Sequence, residues 1–352
     1  MVSISRELGP LAEDWDRLAL DAGTPFVTHA WLSCWWAAFG SGDPLWVLLC
    51  DSDGSLRAGA LLAQTRGRVA AAANVHSGDW NGIARDEDAR AELWAALAAL
   101  GAARVHLQAM PENAQGTRSA CGELERAGYR VLQVPGPFSP WLSLPSSWEE
   151  LIGSAKAGLR QQVRRRRRRL EQEGSVAFRT VRGGPMLDAD LDAFLKLEAS
   201  GWKGQSGTAI LSSRSTERLY RDFARAAAEE GWLRLNLLEL DGTVIAASYD
   251  CAFAGGASLL KTTFSEAHSR LSPGLVLLAD VLRSSIEEGL GSYDFLGDPE
   301  TYKTRWASEL HPRVQIFAYR GHARPGYLYR KSLRPRLKRV RDAVRAKLNA
   351  RS

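Results

Sequence analysis

The chain lacks most of the features that assign a protein quickly. No continuously apolar run among its 352 residues approaches the roughly 20 needed to span a bilayer, so a helical membrane span is not expected. Its start, Met1-Val2-Ser3-Ile4-Ser5-Arg6-Glu7, has no basic flank ahead of an apolar core, and no secretory leader is expected. The four cysteines (Cys34, Cys50, Cys121 and Cys251) are far apart and form no CxxC pair. They read as reduced, buried thiols of a cytoplasmic protein rather than a disulfide framework. The six histidines show no Cys/His spacing suited to zinc, and no metal is expected. A G-x-S-x-G elbow and a Walker loop are also missing, which removes two common enzyme readings.

What is present is ordinary in bulk and uneven in distribution. Apolar residues make up 45% and charged residues 24%, as in a globular protein, and the length suggests two domains. From Arg320 to Ser352 there are 12 Lys and Arg and a single acid, Asp342, a net +11; the remaining 34 basic and 39 acidic residues give −5. A second basic knot, Arg164 to Arg169, lies inside that mildly acidic body. Two positive sites point to an anionic partner, whether phosphate, nucleic acid or a membrane surface.

Periodicity and turn signals predict the order of elements. Thr28 is a plausible N-cap for a helix over residues 30–39, and Asp51-Ser52-Asp53-Gly54 joins two strands as a hairpin. A helix over 87–100, a strand over 104–109, a helix over 115–127 and a strand over 129–134 follow, with Pro135-Gly136-Pro137 expected to break the pattern. The order then starts again, with helices over 148–152, 155–173, 188–199 and 217–230, a hairpin across Asp241-Gly242, a helix over 274–288 and a strand over 292–296. This predicts an α/β chain with mixed sheets, in two similar domains joined near residues 135–147. Their bounds are set at 1–145 and 146–320. A tail over 321–352 carries Leu333, Leu337, Val340, Val344 and Leu348 as one stripe of a basic amphipathic helix.

The densest cluster of candidate chemistry lies between Leu238 and Trp306. Ser272-Pro273-Gly274 opens a helix directly after a strand, an arrangement that presents free backbone N–H groups to an anion; it could equally be a plain, well-capped helix start. Arg270 is a phosphate ligand or a surface charge. Asp294, on the opposite strand face from Tyr293 and Phe295, either serves the attacking group as proton acceptor or caps the Gly297-Asp298-Pro299 turn. Lys303 can stabilise an oxyanion or a donor phosphate, or simply snorkel beside an aromatic, and Tyr302 can protonate a leaving group. Lys261 sits in an apolar strand and must find water, a carboxylate or a ligand. Trp202 and Lys203 lie in a glycine-bounded loop, residues 201–207, suited to a lid or to a plain connection. In the first half, His76 and Asp79 form the one polar cluster, either acceptor-binding groups or an Asx-turn. The arginine knot is an exposed helix face or a grip on phosphate; no interleaved aromatics support base stacking.

Several of these segments together resemble the CelD/BcsL-type acyltransferases of the GNAT superfamily, relatives of the FemABX aminoacyltransferases. They are Leu159-Arg160 leading into Arg164–Arg169, Gly201-Trp202-Lys203-Gly204, Leu240-Asp241-Gly242, Lys261-Thr262, Ser272-Pro273-Gly274, Tyr293-Asp294-Phe295-Leu296-Gly297 and Tyr302-Lys303. The likeness spans about residues 150–320. It implies a twin acyltransferase-type fold that moves an acyl or aminoacyl group onto an amine or hydroxyl. It also implies a donor site at Arg270, Ser272, Gly274 and Lys261, Lys303 beside that donor, and substrate contacts from Arg160 and Arg164. Acyl-CoA-dependent members hold pyrophosphate on a loop richer in glycine than Arg270-Leu271-Ser272-Pro273-Gly274-Leu275, so acyl-CoA and aminoacyl-tRNA both stand as donors.

Three functions remain open on sequence alone. One is acyl transfer from acyl-CoA to a small-molecule, saccharide or peptide acceptor. The second is aminoacyl transfer from tRNA, bound through the basic segments. The third is a non-catalytic scaffold whose tail docks on an anionic membrane.

Overall fold

The structure is a computed structural model that describes residues 2–155 and 157–333. The first half contributes strands β1 (Val2–Ser5), β2 (Asp43–Cys50), β3 (Leu56–Thr65), β4 (Arg68–Ala71), β5 (Ile83–Ala84), β6 (Arg104–Pro111) and β7 (Arg130–Ser143). The second contributes β8 (Val176–Val181), β9 (Leu233–Leu240), β10 (Thr243–Phe253), β11 (Gly256–Phe264), β12 (Ser292–Asp294) and β13 (Glu309–Tyr319). All of them join one mixed sheet in the order β1-β2-β3-β4-β6-β13-β7-β12-β11-β10-β9-β8, with β5 paired to β3. This is the mixed α/β architecture the sequence suggests.

The two halves repeat one plan. In each, an antiparallel hairpin (β2–β3, β9–β10) leads to a strand (β4, β11), a helix (Glu87–Ala99, Pro273–Glu287) and a strand parallel to the one before the helix (β6, β12). The final strands are exchanged. β13, from the second half, pairs with β6 of the first, and β7, from the first, pairs with β12 of the second. β7 and β13 also pair with each other from Arg130–Tyr319 to Trp141–Glu309. The apolar core accordingly runs across both halves: Trp31 packs edge-on against Phe223 at 4.8 Å, joining the helices His29–Phe39 and Arg214–Glu229.

Local chemistry explains the elements. The Thr28 hydroxyl accepts the Trp31 N–H at 3.2 Å, Asp86 accepts that of Ala89 and Ser213 that of Thr216, each starting a helix as an N-cap. Asp241 and Gly242 both have positive φ, 50° and 76°, the conformation of a two-residue hairpin turn. Pro135-Gly136-Pro137, expected to end a strand, instead lies inside β7. The register slips there, Pro312 facing Phe138 and Val314 facing Pro135, so a bulge accommodates residues that cannot donate to a ladder. Gly136 suits the bulge, because a Cβ would stand 3.0 Å from the Arg313 carbonyl oxygen, a tight contact that the backbone would have to relieve. The expected 201–207 loop holds a short helix, Trp202–Gln205. Residues 321–333 fold as short 3-10, α and π turns, and the rest of the basic tail lies outside the described residues. Among the described residues no helix is long and apolar enough to cross a membrane.

One buried group makes stability depend on pH. Asp250, 1% exposed on β10, accepts hydrogen bonds from Asn236 Nδ2 at 2.8 Å, Ser248 Oγ at 3.2 Å and the Tyr293 hydroxyl at 3.2 Å. Burial outweighs these donors and pushes its carboxyl up to about 8. The folded protein therefore holds a proton that the unfolded chain releases near pH 4. Its contribution is fully present below that pH and is lost as pH rises towards 8, by up to about 1.4 kcal/mol per pH unit. Urea denaturation of wild type should show this decline, and Asp250→Asn, neutral throughout, should flatten it. An unchanged slope in the variant would assign the dependence elsewhere.

Candidate active site

β11 and β12 run parallel only from Gly256–Ser292 to Ser258–Asp294. Beyond that point β12 has ended, so the β12-facing edge of residues 259–264 has no strand partner among the described residues. On the other edge, Lys261 faces Tyr249 and Leu259 faces Asp250, which leaves Leu260 as a bulge. A splayed, bulged strand exposes backbone N–H and C=O groups, and here they front a cavity of about 880 Å³.

The cavity is built from both halves. β11 contributes Leu259 to Phe264, and the segment after β12 contributes Phe295 to Asp298. The first half adds Asn74 to Ser77, Gln108 and Ala109 on β6, and Gly136 and Pro137 on β7. The 273–287 helix begins at the wall with Ser272 and Gly274. Among the described residues no side chain caps this start. Ser272 is left-handed (φ 56°), Pro273 occupies the first turn, and the bond back to the Ser272 carbonyl comes from the Leu275 N–H at 3.1 Å. Of the five non-glycine residues with positive φ among the described residues, three (Ala109, Ser272 and Leu296) line this cavity; the others, Asp241 and Ala254, sit in tight hairpin turns. Strained backbone concentrated around one cavity makes it the candidate site.

Among the expected site residues, Ser272, Gly274, Lys261, Lys203, His76, Tyr302 and Lys303 all meet at this cavity. Lys303 is 7% exposed, and its Nζ donates to the carbonyls of Leu296 at 2.9 Å and Asp298 at 3.3 Å while pairing with Glu300 at 3.1 Å. All three ammonium protons are engaged, so Lys303 clamps the turn that follows β12 and has none to spare for an oxyanion in this arrangement. Lys203 Nζ donates to the Thr262 carbonyl at 2.8 Å and pairs with Glu198 at 3.5 Å; burial is the main cause that lowers its pKa. Lys261 is brought down to about 8, first by burial and then by the Lys203 charge. His76 stacks on Phe39 and lies 3.3 Å from the Tyr220 hydroxyl. Burial and then Lys261 push it down to about 4, so it is neutral near pH 7. The Tyr302 phenol is raised by burial.

The remaining expected residues lie elsewhere. Asp294 sits behind the wall at 6% exposure, accepting from the Ser139 hydroxyl, from the Leu296 N–H at 2.8 Å and from Arg313 Nη2 at 3.1 Å. Burial raises its pKa and Arg313 opposes the shift. Asp79 is bound to the same guanidinium through Arg313 Nε. The two carboxylates are thus arms of one ion triad rather than open proton acceptors. Arg270 is exposed, and its carbonyl accepts from Arg166. Arg160 is exposed on the 157–173 helix, away from the wall. Arg164 borders a separate cavity of about 270 Å³, with Trp148, Arg167 and Arg283. The Trp202 side chain lies outside the described residues. Among those residues no cluster of His, Cys, Asp or Glu could hold a metal.

Sequence reasoning missed Glu198, Tyr220, Gln162 and Arg313, all at the cavity wall. Glu198 left a trace, since it continues the stripe Leu191, Phe194, Leu195 at helical spacing and puts a carboxylate where an apolar residue is expected. Its side chain is fully buried and accepts the Ile210 N–H at 2.7 Å. Arg313 left none.

Comparison with known proteins finds one matching family profile and several similar folds. Residues 157–304 match the family profile described as an acetyltransferase (GNAT) domain, which contains β11, the 273–287 helix and β12. The second half of the chain is thus similar to a GNAT acetyltransferase domain. Over the whole chain the fold is similar to that of FemX (TM-score 0.63, 13% identity, covering 91% of this chain and 98% of that one). It is also similar to the C-terminal domain (DUF2156) of a protein assigned as a lysylphosphatidylglycerol synthetase from Agrobacterium fabrum (0.55, 12%, 88% and 92%). A third likeness is to L-PGS from Bacillus licheniformis (0.54, 14%, 88% and 91%). At these identities the similarity is one of fold. No curated protein compared with the chain matches it in sequence.

Proposed function

We propose that the protein transfers an acyl group from acyl-CoA to an amine or hydroxyl of a small-molecule, saccharide or peptide acceptor, as a CelD/BcsL-like member of its superfamily. The observation that carries this reading is the splay of β11 from β12 beside an uncapped helix start, both opening into one large cavity. Donor phosphates sit against the Gly274 amide and the positive end of the 273–287 helix dipole. The acyl carbonyl reaches the unpaired backbone edge at Leu260 and Lys261, where N–H groups stabilise charge as it develops on oxygen. The acceptor enters from the side of Asn74, His76 and Gln108. Attack is direct, and catalysis rests on positioning and backbone hydrogen bonds.

A second reading, aminoacyl-tRNA as donor, is favoured by the exposure of Arg160, Arg164, Arg165, Arg168 and Arg169 on a helix whose Gln162 reaches the cavity. Calorimetric titration of the purified protein with CoA, beside assay of bound RNA, separates the two. Micromolar CoA binding that weakens with salt is the expected result. Absence of CoA binding together with co-purified tRNA would overturn the first reading in favour of the second.

A further inference from the structure

Three lysines face the cavity, and one of them is held differently from the others. Lys203 and Lys303 each donate to backbone carbonyls and each pair with a carboxylate. Lys261 has neither kind of partner among the described residues; its Nζ lies over the Tyr220 ring, 5.6 Å from the centroid. It also stands on the splayed part of β11, next to the Leu260 bulge and three residues from Phe264. Phe264 in turn packs at the helix start, its Cδ1 3.4 Å from where a Cβ on Gly274 would stand. An uncompensated amine therefore lies along the strand that leads from the donor end of the cavity to its centre.

We propose that Lys261 is a self-acylation site: with an acyl thioester in the cavity and no acceptor present, its amine takes the acyl group. This rests on the reading of the cavity as an acyl-thioester site. The Nζ lone pair attacks the thioester carbonyl carbon, the C–N bond forms, and the C–S bond breaks with its electron pair leaving on sulfur. The proton shed by nitrogen ends on that thiolate, which gives an amide on the protein and a free thiol. The amide carries no charge and fills the space beside Tyr220 and His76, on the acceptor side of the cavity. Self-acylation thus closes the site when acceptor is scarce.

The surroundings of Lys261 favour its neutral form. Burial lowers its pKa to about 8, with Lys203 and Lys303 adding to the shift and Glu198 opposing it. His76 is neutral near pH 7, and the facing Tyr220 and Tyr249 are raised by burial, so these three add no negative charge; Glu266, Asp298 and Glu300 also line the cavity. Near pH 7 about one lysine in ten at this position is free amine, against fewer than one in a thousand for an ordinary exposed lysine.

The test is incubation of the full chain with acetyl-CoA alone between about pH 7 and 9, followed by peptide mass spectrometry, with CoA binding measured by calorimetry on the same preparation. Lys261 should be acetylated at least about tenfold faster than exposed Lys196, with Lys203 and Lys303 unmodified. The rate should rise through about pH 8 and then level off. Lys261→Arg should abolish the modification. CoA binding with Lys261 modified no faster than Lys196, or with the label on Lys203 or Lys303, overturns the proposal and leaves the donor site standing. No CoA binding and no label overturns both.

Discussion

Replacing Arg313 with methionine should cost the fold about 3–5 kcal/mol, the usual penalty for removing one partner of a buried ion pair. The guanidinium is 4% exposed and bridges Asp79, in the first half, to Asp294 at the end of β12. Without it Asp294, 8% exposed at its side chain, keeps the Ser139 and Leu296 donors but loses its counter-charge. Asp79 suffers less, being 31% exposed. The Asp294→Asn change alone should cost less, and adding it to Arg313→Met should restore part of the loss, because it removes the carboxylate left uncompensated. Urea denaturation of the three variants measures this. A loss below about 1 kcal/mol in Arg313→Met would show that the triad is solvated and contributes little.

Placing aspartate at residue 274 should separate ligand binding from stability. Gly274 has ordinary helical backbone, and a Cβ there would meet only the Phe264 ring at van der Waals distance, 3.4 Å from Cδ1. The fold therefore accepts a side chain. A carboxylate in the first turn also suits the helix dipole, so stability should hold or rise by about 0.3–1 kcal/mol. Donor phosphates would meet a like charge at the amides they need. A penalty of about 2–3 kcal/mol corresponds to roughly 30- to 150-fold weaker CoA binding. Calorimetry and thermal melting should thus move in opposite directions. Unchanged CoA affinity in Gly274→Asp would move the donor away from this helix.

Much of this architecture could be read from local signals. Thr28 as a cap, the Asp241-Gly242 turn and the helix opening at Pro273 depend on a few neighbouring residues, and such patterns are visible in a sequence. The unreadable features are long-range. Nothing near Pro135-Gly136-Pro137 announces that Arg313 and Val314 will lie alongside and turn a break into a bulge. The same limit applies to the site. Lys261, Ser272 and Gly274 stood out because their own segments were unusual, and they line the cavity. Asp294 stood out for the same reason, but its partner is 19 residues away in sequence and turns it into one arm of a triad. The arginine knot shows it again: Arg166 and Arg167 are engaged, by the Arg270 carbonyl and by Asp280, and only the fold reveals which of the six turn inward.

The reciprocal placement of β7 and β13 has a consequence for inheritance. A fragment ending near residue 173 would hold β6 and β7 with nothing between them, and the complementary fragment would carry β12 with a raw flank. Long unpaired edges of this kind invite aggregation. A gene rearrangement that passed on one half without its mate would deliver a product unable to finish its own sheet.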